Sequence, residues 1–160
     1  MRNLRGFTMI ELLVAVSIAG LLLAITVPGF VHFRASLLRS QVRWALIGDI
    51  RYARQLAVTK HKSVVVAFGN GSTTTDLTTY TLHSDLNGNR VKDSGEAVLN
   101  RTLPKGSYLT KVSLAPVDSL IFDSSGSLYP GTSGGSLVFR GPQGSNDTLM
   151  VSAIGMVYHQ

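Results

Sequence analysis

The stretch Gly6–Phe30, GFTMIELLVAVSIAGLLLAITVPGF, decides the fold of this chain of 160 residues. After two arginines, Arg2 and Arg5, its side chains are apolar over about the thickness of a membrane, which a helix of about 20 residues can cross. A secretory signal peptide has a shorter apolar core, of about 7–15 residues, with a small-x-small cleavage site after it. Neither feature is present here. The sequence therefore predicts a transmembrane anchor rather than a cleaved signal peptide.

Glu11 is the one carboxylate inside this apolar stretch. A charged side chain at the centre of a spanning helix costs about 2.5–3.5 kcal/mol on insertion scales, so by default such a residue is expected to have a functional partner. The alternative is that Glu11 lies near the membrane interface and extends its carboxylate into water. The residues around Glu11 favour the first interpretation.

The segment Gly6–Glu11, GFTMIE, resembles the processing site of type IV prepilins and type II secretion pseudopilins. The resemblance implies that a prepilin peptidase cuts after Gly6 on the cytoplasmic side and that the new amino terminus, at Phe7, is methylated. It also places Glu11 fifth after the cut and Pro28 twenty-second. The family carries its acidic residue and its helix-loosening proline at these positions.

The same resemblance implies partners and a location. In a filament, Glu11 would pair with the free amine of Phe7 on a neighbouring subunit, which offsets the cost of burying both charges. The protein would be stored in the inner membrane with a single span and its head in the periplasm, and would then enter a pilus or pseudopilus. Its partners would be other pilins or pseudopilins, prepilin peptidase and inner-membrane lipid. Arg2 and Arg5 are expected to hold the leader at the cytoplasmic face.

Four segments are expected along the chain. They are a leader at 1–6, a membrane and filament-core helix at 7–30, an amphipathic stem helix at 31–62 and a β-rich globular head at 63–160. Pro28 and the glycine after it are expected to weaken or kink the helix, because proline removes a backbone hydrogen bond.

The stem carries apolar residues at spacings of three or four, which predicts one buried helix face. These residues are Leu38, Val42, Leu46, Ile50, Ala53 and Ala57. Trp44 and Tyr52 are interpreted as packing residues rather than ligand contacts.

The head consists of short β-rich runs separated by Gly, Asn, Asp and Pro, which predicts an antiparallel sheet assembly. The expected strands are Ser63–Phe68, Thr78–His83, Ala97–Leu103, Tyr108–Leu114, Leu120–Phe122, Ser136–Arg140, Thr148–Ile154 and Met156–His159. The expected fold class is α+β, with a long N-terminal helix packed on an antiparallel β-sandwich-like head.

Several parts of this half resemble the minor pilins and pseudopilins of the FimT and GspH family. They are the end of the stem at Asp49–Ala57, the acidic loop Asp85–Glu96, the strand and turn at Phe122…Gly126 and the closing segment Ser152–Gly155. The resemblance implies a helical stem that carries a β-sandwich-like head.

The net charge of +6 and the isoelectric point near 10.0 invite a nucleic-acid function. However, residues 1–62 hold a net +7, whereas the head, 63–160, holds −1. A head that gripped phosphates would be expected to carry the positive charge itself. Some FimT-like pilins bind DNA for natural transformation through a Gly-Arg-x-Arg signature, but the matching residues here, Gly155–Tyr158, include no arginine. A DNA-binding minor pilin is therefore the alternative function, and the sequence argues against DNA as a partner.

The loop Asp85–Glu96 matches the spacing of a calcium-binding loop at its first, third, fifth, ninth and twelfth positions. The oxygen ligands would come from Asp85, Asn87, Asn89, the Val91 carbonyl, Asp93 and Glu96. Arg90 stands at the sixth position, where that loop needs glycine, and the flanks are strand-like. The alternative is a polar hairpin tip with Asn-Gly turn chemistry. If calcium binds, weak affinity is expected.

No catalytic constellation is predicted. Gly131-x-Ser133-x-Gly135 matches a hydrolase nucleophile elbow in form, but a short strand follows where that elbow needs a helix. The four histidines have no metal-ligand spacing, and the absence of cysteine excludes disulfides. The sequence therefore predicts a non-enzymatic filament subunit with no required cofactor, a minor pilin or pseudopilin that helps to prime, cap or decorate its filament.

Overall fold

A computed structural model describes residues 7–69, 76–114, 118–132, 134–141 and 144–159. The leader, 1–6, including Gly6, lies outside the described residues, and so does Ser133 of the elbow-like stretch. Within the described ranges the chain forms one helix followed by eight strands, which confirms the α+β class.

The elements follow one another in a simple order. The helix α1 spans Met9–Lys60, and the strands are β1 Ser63–Ala67, β2 Thr79–Asp85, β3 Val98–Thr102, β4 Tyr108–Leu114, β5 Ser119–Phe122, β6 Gly135–Arg140, β7 Asn146–Val151 and β8 Val157–His159. All eight expected strands are present. The seventh was predicted to run to Ile154 but ends at Val151, because the N–H of Gly155 donates to the Ser152 carbonyl and closes a turn.

The chain divides into two compact units, Met1–Leu37 and Leu38–Gln160. In the first unit every large apolar side chain from Phe7 to Phe33 is exposed. By its length and composition alone, α1 is able to cross a membrane, with a mean hydropathy of 2.5 over its most apolar window. The helix continues through Pro28, so this proline does not end it.

The polar residues in this apolar half are satisfied locally. The hydroxyls of Ser17 and Thr26 donate to the carbonyls of Leu13 and Leu22, at 2.8 Å and 2.7 Å. Such bonds to the preceding turn let a hydroxyl lie in an apolar medium without an unpaired donor. Glu11 is therefore the residue whose polar group most needs a partner from elsewhere.

In the second unit the strands form two antiparallel sheets, which we call the first sheet (β3-β2-β1-β5) and the second sheet (β4-β6-β7-β8). Both sheets and α1 contribute to one hydrophobic core. The helix supplies Val42, Leu46, Ile47, Ile50, Ala53 and Ala57. Five of the six residues predicted to line the buried face are in this set, and Leu38 is half-buried. The prediction of a stem face packed on two sheets is therefore confirmed.

The interpretation of Trp44 and Tyr52 as packing residues is wrong for this chain. Their side chains are 65% and 45% exposed. At 100° per residue, both lie on the face of α1 opposite Leu46 and Ile50, which are fully or almost fully buried. An aromatic residue near the buried stripe is not packed unless it lies on that stripe.

Polar side chains of α1 join it to both sheets. Arg43 pairs with Asp147 of β7 at 2.8 Å, and Arg39 donates to Ser145 at 2.8 Å. At the first sheet, Asp49 accepts a hydrogen bond from the Tyr80 hydroxyl of β2 at 2.5 Å and forms an ion pair with Arg101 of β3 at 3.0 Å. The stem is thus fixed to each sheet by an ionic contact beside the apolar core.

One turn approaches α1 so closely that it requires glycine. Gly126, after β5, has φ +79°, and a Cβ built there would lie 2.8 Å from Cγ2 of Val58. A side chain would therefore clash with the helix and would also strain the backbone.

We expect the substitution Arg43→Ala to lower the free energy of unfolding by about 1–3 kcal/mol, because the partly buried Asp147 then loses its arginine partner and keeps only its contact with His159. Denaturant titration of the full chain in detergent micelles at neutral pH measures this. Arg51→Ala, at an exposed position of the same helix, is the control and should change it by less than about 0.5 kcal/mol. Equal losses in the two variants would contradict the prediction.

The same contact has a defined pH dependence. Burial acts to raise the pKa of Asp147, but hydrogen bonds from Arg43 and His159 outweigh it, so the pKa lies below the ordinary 3.8. A carboxyl with a lower pKa in the folded state stabilises the fold above its ordinary pKa, and this contribution is lost as the pH falls through the folded value. The free energy of unfolding of Asp147→Asn, measured by denaturant titration at several acidic pH values, should therefore change less with pH than that of the unchanged chain.

Candidate functional site

The first candidate site is the start of α1. The backbone N–H of Glu11 donates to Oγ1 of Thr8 at 3.3 Å, so Thr8 caps the helix. Thr8 and Glu11 have the spacing of a capping box, in which a hydroxyl and an acidic side chain satisfy helix N–H groups. The pattern Thr-x-x-Glu is visible in the sequence, and our sequence reasoning missed it. The Glu11 carboxylate lies in the first turn of α1, where a negative charge is favourable beside the helix N-terminus.

Glu11 also lies within an apolar face of α1. Phe7, Ile10, Val14, Ala15 and Ile18 recur at helical spacing around it and line one shallow depression with it. Among the described residues no cation lies within ion-pairing distance of the Glu11 carboxylate. The structure thus places Phe7 and Glu11 on the same face, and this face holds a carboxylate that these residues leave without a counter-charge.

The second candidate site is the loop Asp85–Glu96, which joins β2 to β3. The Asp85 side chain is 4% exposed, and its two oxygens accept from the N–H groups of Gly88 and Arg90 at 2.7 Å and 3.0 Å. The two oxygens of Glu96 accept from the N–H groups of Leu86 and Asp93 at 2.8 Å and 3.1 Å. The first and twelfth positions of the predicted calcium loop therefore close the loop on itself.

Side chains in the middle of the loop also form hydrogen bonds within the loop. The side-chain amides of Asn87 and Asn89 both donate to one oxygen of Asp93, each at 2.6 Å. Arg90 has φ +64°, the left-handed conformation that favours glycine. The residue type at the sixth position departs from a calcium loop, but the backbone there has the conformation in which glycine is ordinarily found.

The acidic side chains of this loop are thus satisfied by its own N–H groups and amides. Among the described residues, no three His, Asp or Glu side chains are grouped as they would be around a metal ion. A calcium ion would have to combine carboxylate oxygens with those of Asn87 and Asn89 and the Val91 carbonyl. Calcium binding stays a prediction.

A third feature, not predicted from the sequence, is a cavity of about 400 Å³ beside this loop. His83 of β2 lines it and is 3% exposed, and neither ring nitrogen has a hydrogen-bond partner among the described residues. Burial lowers the pKa of His83 below its ordinary value, against the opposing effect of Glu96. The imidazole is therefore neutral at pH 7. Its position in a β-rich run carried no signal of this environment.

The loop is held over the cavity by a cation–π contact. The guanidinium carbon of Arg90 lies 4.0 Å from the centre of the Tyr129 ring. Tyr129 is itself fixed, because its N–H donates to the Ile121 carbonyl of β5 at 2.8 Å. The loop therefore has a defined position above the first sheet.

The elbow-like stretch forms no catalytic arrangement in the described residues. Gly135 starts the strand β6, and no helix follows it. Of its three named positions, Ser133 lies outside the described residues.

Comparisons with known proteins agree with this architecture. Residues 45–155 match the family described as Type II transport protein GspH, and residues 1–27 match the prokaryotic N-terminal methylation motif. These matches confirm the resemblances drawn from the stem, the head and the segment Gly6–Glu11. No curated protein matches the chain.

Two solved structures are similar. The minor pseudopilin EpsH from the type 2 secretion system of Vibrio cholerae has 11% identity and a TM-score of 0.49, over 75% of this chain and 96% of that chain. The type IV minor pilin FimU of Pseudomonas aeruginosa has 17% identity and a TM-score of 0.51, over 78% of this chain and 89% of that chain. The likeness to FimU is a likeness of fold.

If the loop Asp85–Glu96 binds calcium, the ion should raise the melting temperature of the full chain in detergent micelles. Binding to the native state alone stabilises it in proportion to the logarithm of ligand concentration, by about 2.7 kcal/mol at 100 times Kd. The measurement compares thermal melts in calcium and in chelator. Asp85→Asn, which removes a charge from the loop, should abolish the difference, whereas Asp123→Asn in another turn should leave it. Superimposable curves for the unchanged chain would contradict the prediction.

Proposed function

We propose that this chain, which belongs to the GspH family of type II transport proteins, is a non-enzymatic subunit that enters a pilus or pseudopilus through its N-terminal helix. In this proposal prepilin peptidase cuts after Gly6, and the new amine at Phe7 is methylated. Residues 7–30 cross the inner membrane, with the head in the periplasm. After assembly the subunit helps to prime, cap or decorate the filament.

The surface of α1 in the first unit is the observation that carries this proposal. Its large apolar side chains are exposed on every face, from Phe7 at 75% to Phe33 at 60%. Such a surface is stable only in lipid or against other apolar surfaces. A helix that is apolar on every face is stable in both environments, because lipid can cover it first and neighbouring helices can cover it later.

The charge of Glu11 makes the two environments of the helix, lipid and neighbouring subunits, unequal in free energy. In lipid its carboxylate is unfavourable, whereas next to a cation from another subunit the two charges compensate each other. Cutting after Gly6 would create such a cation at Phe7, about one helical turn away along the sequence. The carboxylate thus favours assembled helices over helices alone in lipid, and sets their register.

The stem has a second exposed face, formed by Trp44, Gly48 and Tyr52. A Cβ built on Gly48 would have no atom of the described residues within 4 Å, so no close contact among these residues explains the glycine. A glycine in the middle of a helix costs about 1 kcal/mol relative to alanine. In the proposal, the two exposed aromatic side chains and the gap between them contact a neighbouring subunit.

We expect Glu11→Ala to be inserted and cut normally but to be excluded from filaments. Removing the carboxylate leaves the Phe7 amine of the neighbouring subunit without its counter-charge. The measurement compares the variant's abundance in sheared filament or pseudopilus fractions with its abundance in the membrane, in the host organism. Thr8→Ala is the control, because it removes the helix cap and keeps the carboxylate. Normal incorporation of Glu11→Ala would contradict the register role.

Substitutions at Gly48 separate folding from assembly. Gly48→Ala should raise the free energy of unfolding of the single chain by up to about 1 kcal/mol, because alanine is the better helix former and has room. Gly48→Leu should also fold, but should enter filaments poorly because its side chain fills the gap between Trp44 and Tyr52. Thermal melts and filament fractions give the two readouts. Incorporation of Gly48→Leu at the level of the unchanged chain would show that this face is not a contact.

A further inference from the structure

The part of α1 that packs on the sheets also has an exposed face. Its residues lie within about 60° of the direction of Gly48, at about 100° per residue, and all of them are exposed. They are Gln41, Trp44, Gly48, Arg51, Tyr52 and Gln55, and we call them the outer stem face. Their exposure shows that the described part of the chain does not cover this face.

The residue types of the outer stem face are typical of contacts between proteins. Trp, Tyr and Arg are enriched among the few residues that supply most of the binding free energy, whereas Lys, Glu and Asp are depleted in interfaces. The outer stem face includes no Lys, Asp or Glu. Trp44 is 65% exposed and Tyr52 is 45% exposed, so both leave apolar ring surface in water. A protein partner that covers these rings removes that surface from water.

Arg51 gives this face a charge that the described residues do not compensate. The residues three and four positions away along α1 include no acidic residue. No described carboxylate lies within ion-pairing distance of Arg51, whereas Arg43 and Arg101 each have one. Arg51 is also the one cation of the outer stem face, whereas a phosphate backbone is ordinarily bound by several cations. A single guanidinium between aromatic rings therefore favours one carboxylate of a protein partner.

A second copy of this chain offers few carboxylates to Arg51. Most carboxylates of the second unit already accept hydrogen bonds from donors in the same chain. They are Asp49, Asp85, Asp93, Glu96, Asp123 and Asp147. Charge complementarity therefore favours a different chain as the partner.

We propose that the outer stem face binds a different filament subunit, which places an Asp or Glu side chain bordered by apolar residues against Arg51. Trp44 and Tyr52 contact the apolar border, and Gly48 lets the partner approach the helix backbone closely. This pairing rests on the proposed function, in which a neighbouring subunit contacts the stem, and it specifies the chemistry of that neighbour.

A charge reversal in the host organism tests the pairing. Arg51→Glu should lower the abundance of the chain in sheared filament or pseudopilus fractions, relative to the membrane, by about tenfold or more, because like charges then meet. Arg51→Lys keeps the charge and should stay within about threefold of the unchanged chain. Lys105→Glu makes the same change of net charge at an exposed position outside the outer stem face, so it is the matched control and should enter filaments normally. Thermal melts of Arg51→Glu in detergent micelles should match those of the unchanged chain.

A carbodiimide reagent tests the chemistry of the partner. The reagent joins an amine to a carboxylate by an amide bond where the two are in contact, and a guanidinium does not react. Arg51→Lys supplies the amine. We expect peptide mass spectrometry of treated filament fractions to find position 51 joined to an Asp or Glu of a different subunit. The unchanged chain, treated in the same way, should give no product at this position.

Two results would overturn the pairing. One is normal filament entry of Arg51→Glu. The other is a filament fraction that contains Arg51→Lys but gives no product at position 51, or gives a product with a second copy of this chain alone. Absence of the chain from filament fractions with any residue at position 51 would contradict the proposed function and the pairing with it. Normal entry of Glu11→Ala would contradict only the register role, and the product at position 51 would still be measured.

Discussion

The structure depends on one helix whose apolar side chains are removed from water differently in its two halves. Before the head, α1 exposes apolar side chains on every face, so none of the residues that the structure describes in this part removes them from water. Within the head, it buries a single stripe, centred on Leu46 and Ile50, against both sheets. The head can therefore fold around the second half of the helix and leave the first half for lipid or for other subunits. The division into two compact units at Leu37 and Leu38 reflects this change.

Polar contacts beside the core fix the helix to the sheets. The charge on Arg43 is compensated at the second sheet by Asp147, and the charge on Asp49 at the first sheet by an arginine of β3. The apolar stripe alone would allow the helix to slide along its axis, whereas each ion pair has a definite geometry. Burial also raises the pKa of Tyr80, and the hydrogen bond to Asp49 raises it further, so the tyrosine stays a donor to the stem. The face that carries Trp44 remains exposed.

Sequence reasoning predicted what depends on local pattern. Spacings of three or four predicted the buried stripe of the stem, and β-rich runs between turn residues predicted all eight strands that the described residues form, because the periods of helices and strands follow from backbone geometry. It did not find the Arg43–Asp147 contact, since those residues are distant in sequence and meet only when β7 packs on α1. The exposure of Trp44 and the burial of His83 were missed for the same reason. The cap formed by Thr8 depends only on the local pattern Thr-x-x-Glu, which is visible in the sequence.

The central claim is that the apolar segment is kept and becomes the part by which subunits join. Mass spectrometry of the protein isolated from its host tests this claim most directly. We predict a mature chain that begins at Phe7, carries a methyl group on its amino terminus and retains all residues up to Phe30. A chain that still begins at Met1, or one that has lost the whole apolar stretch, would contradict the account.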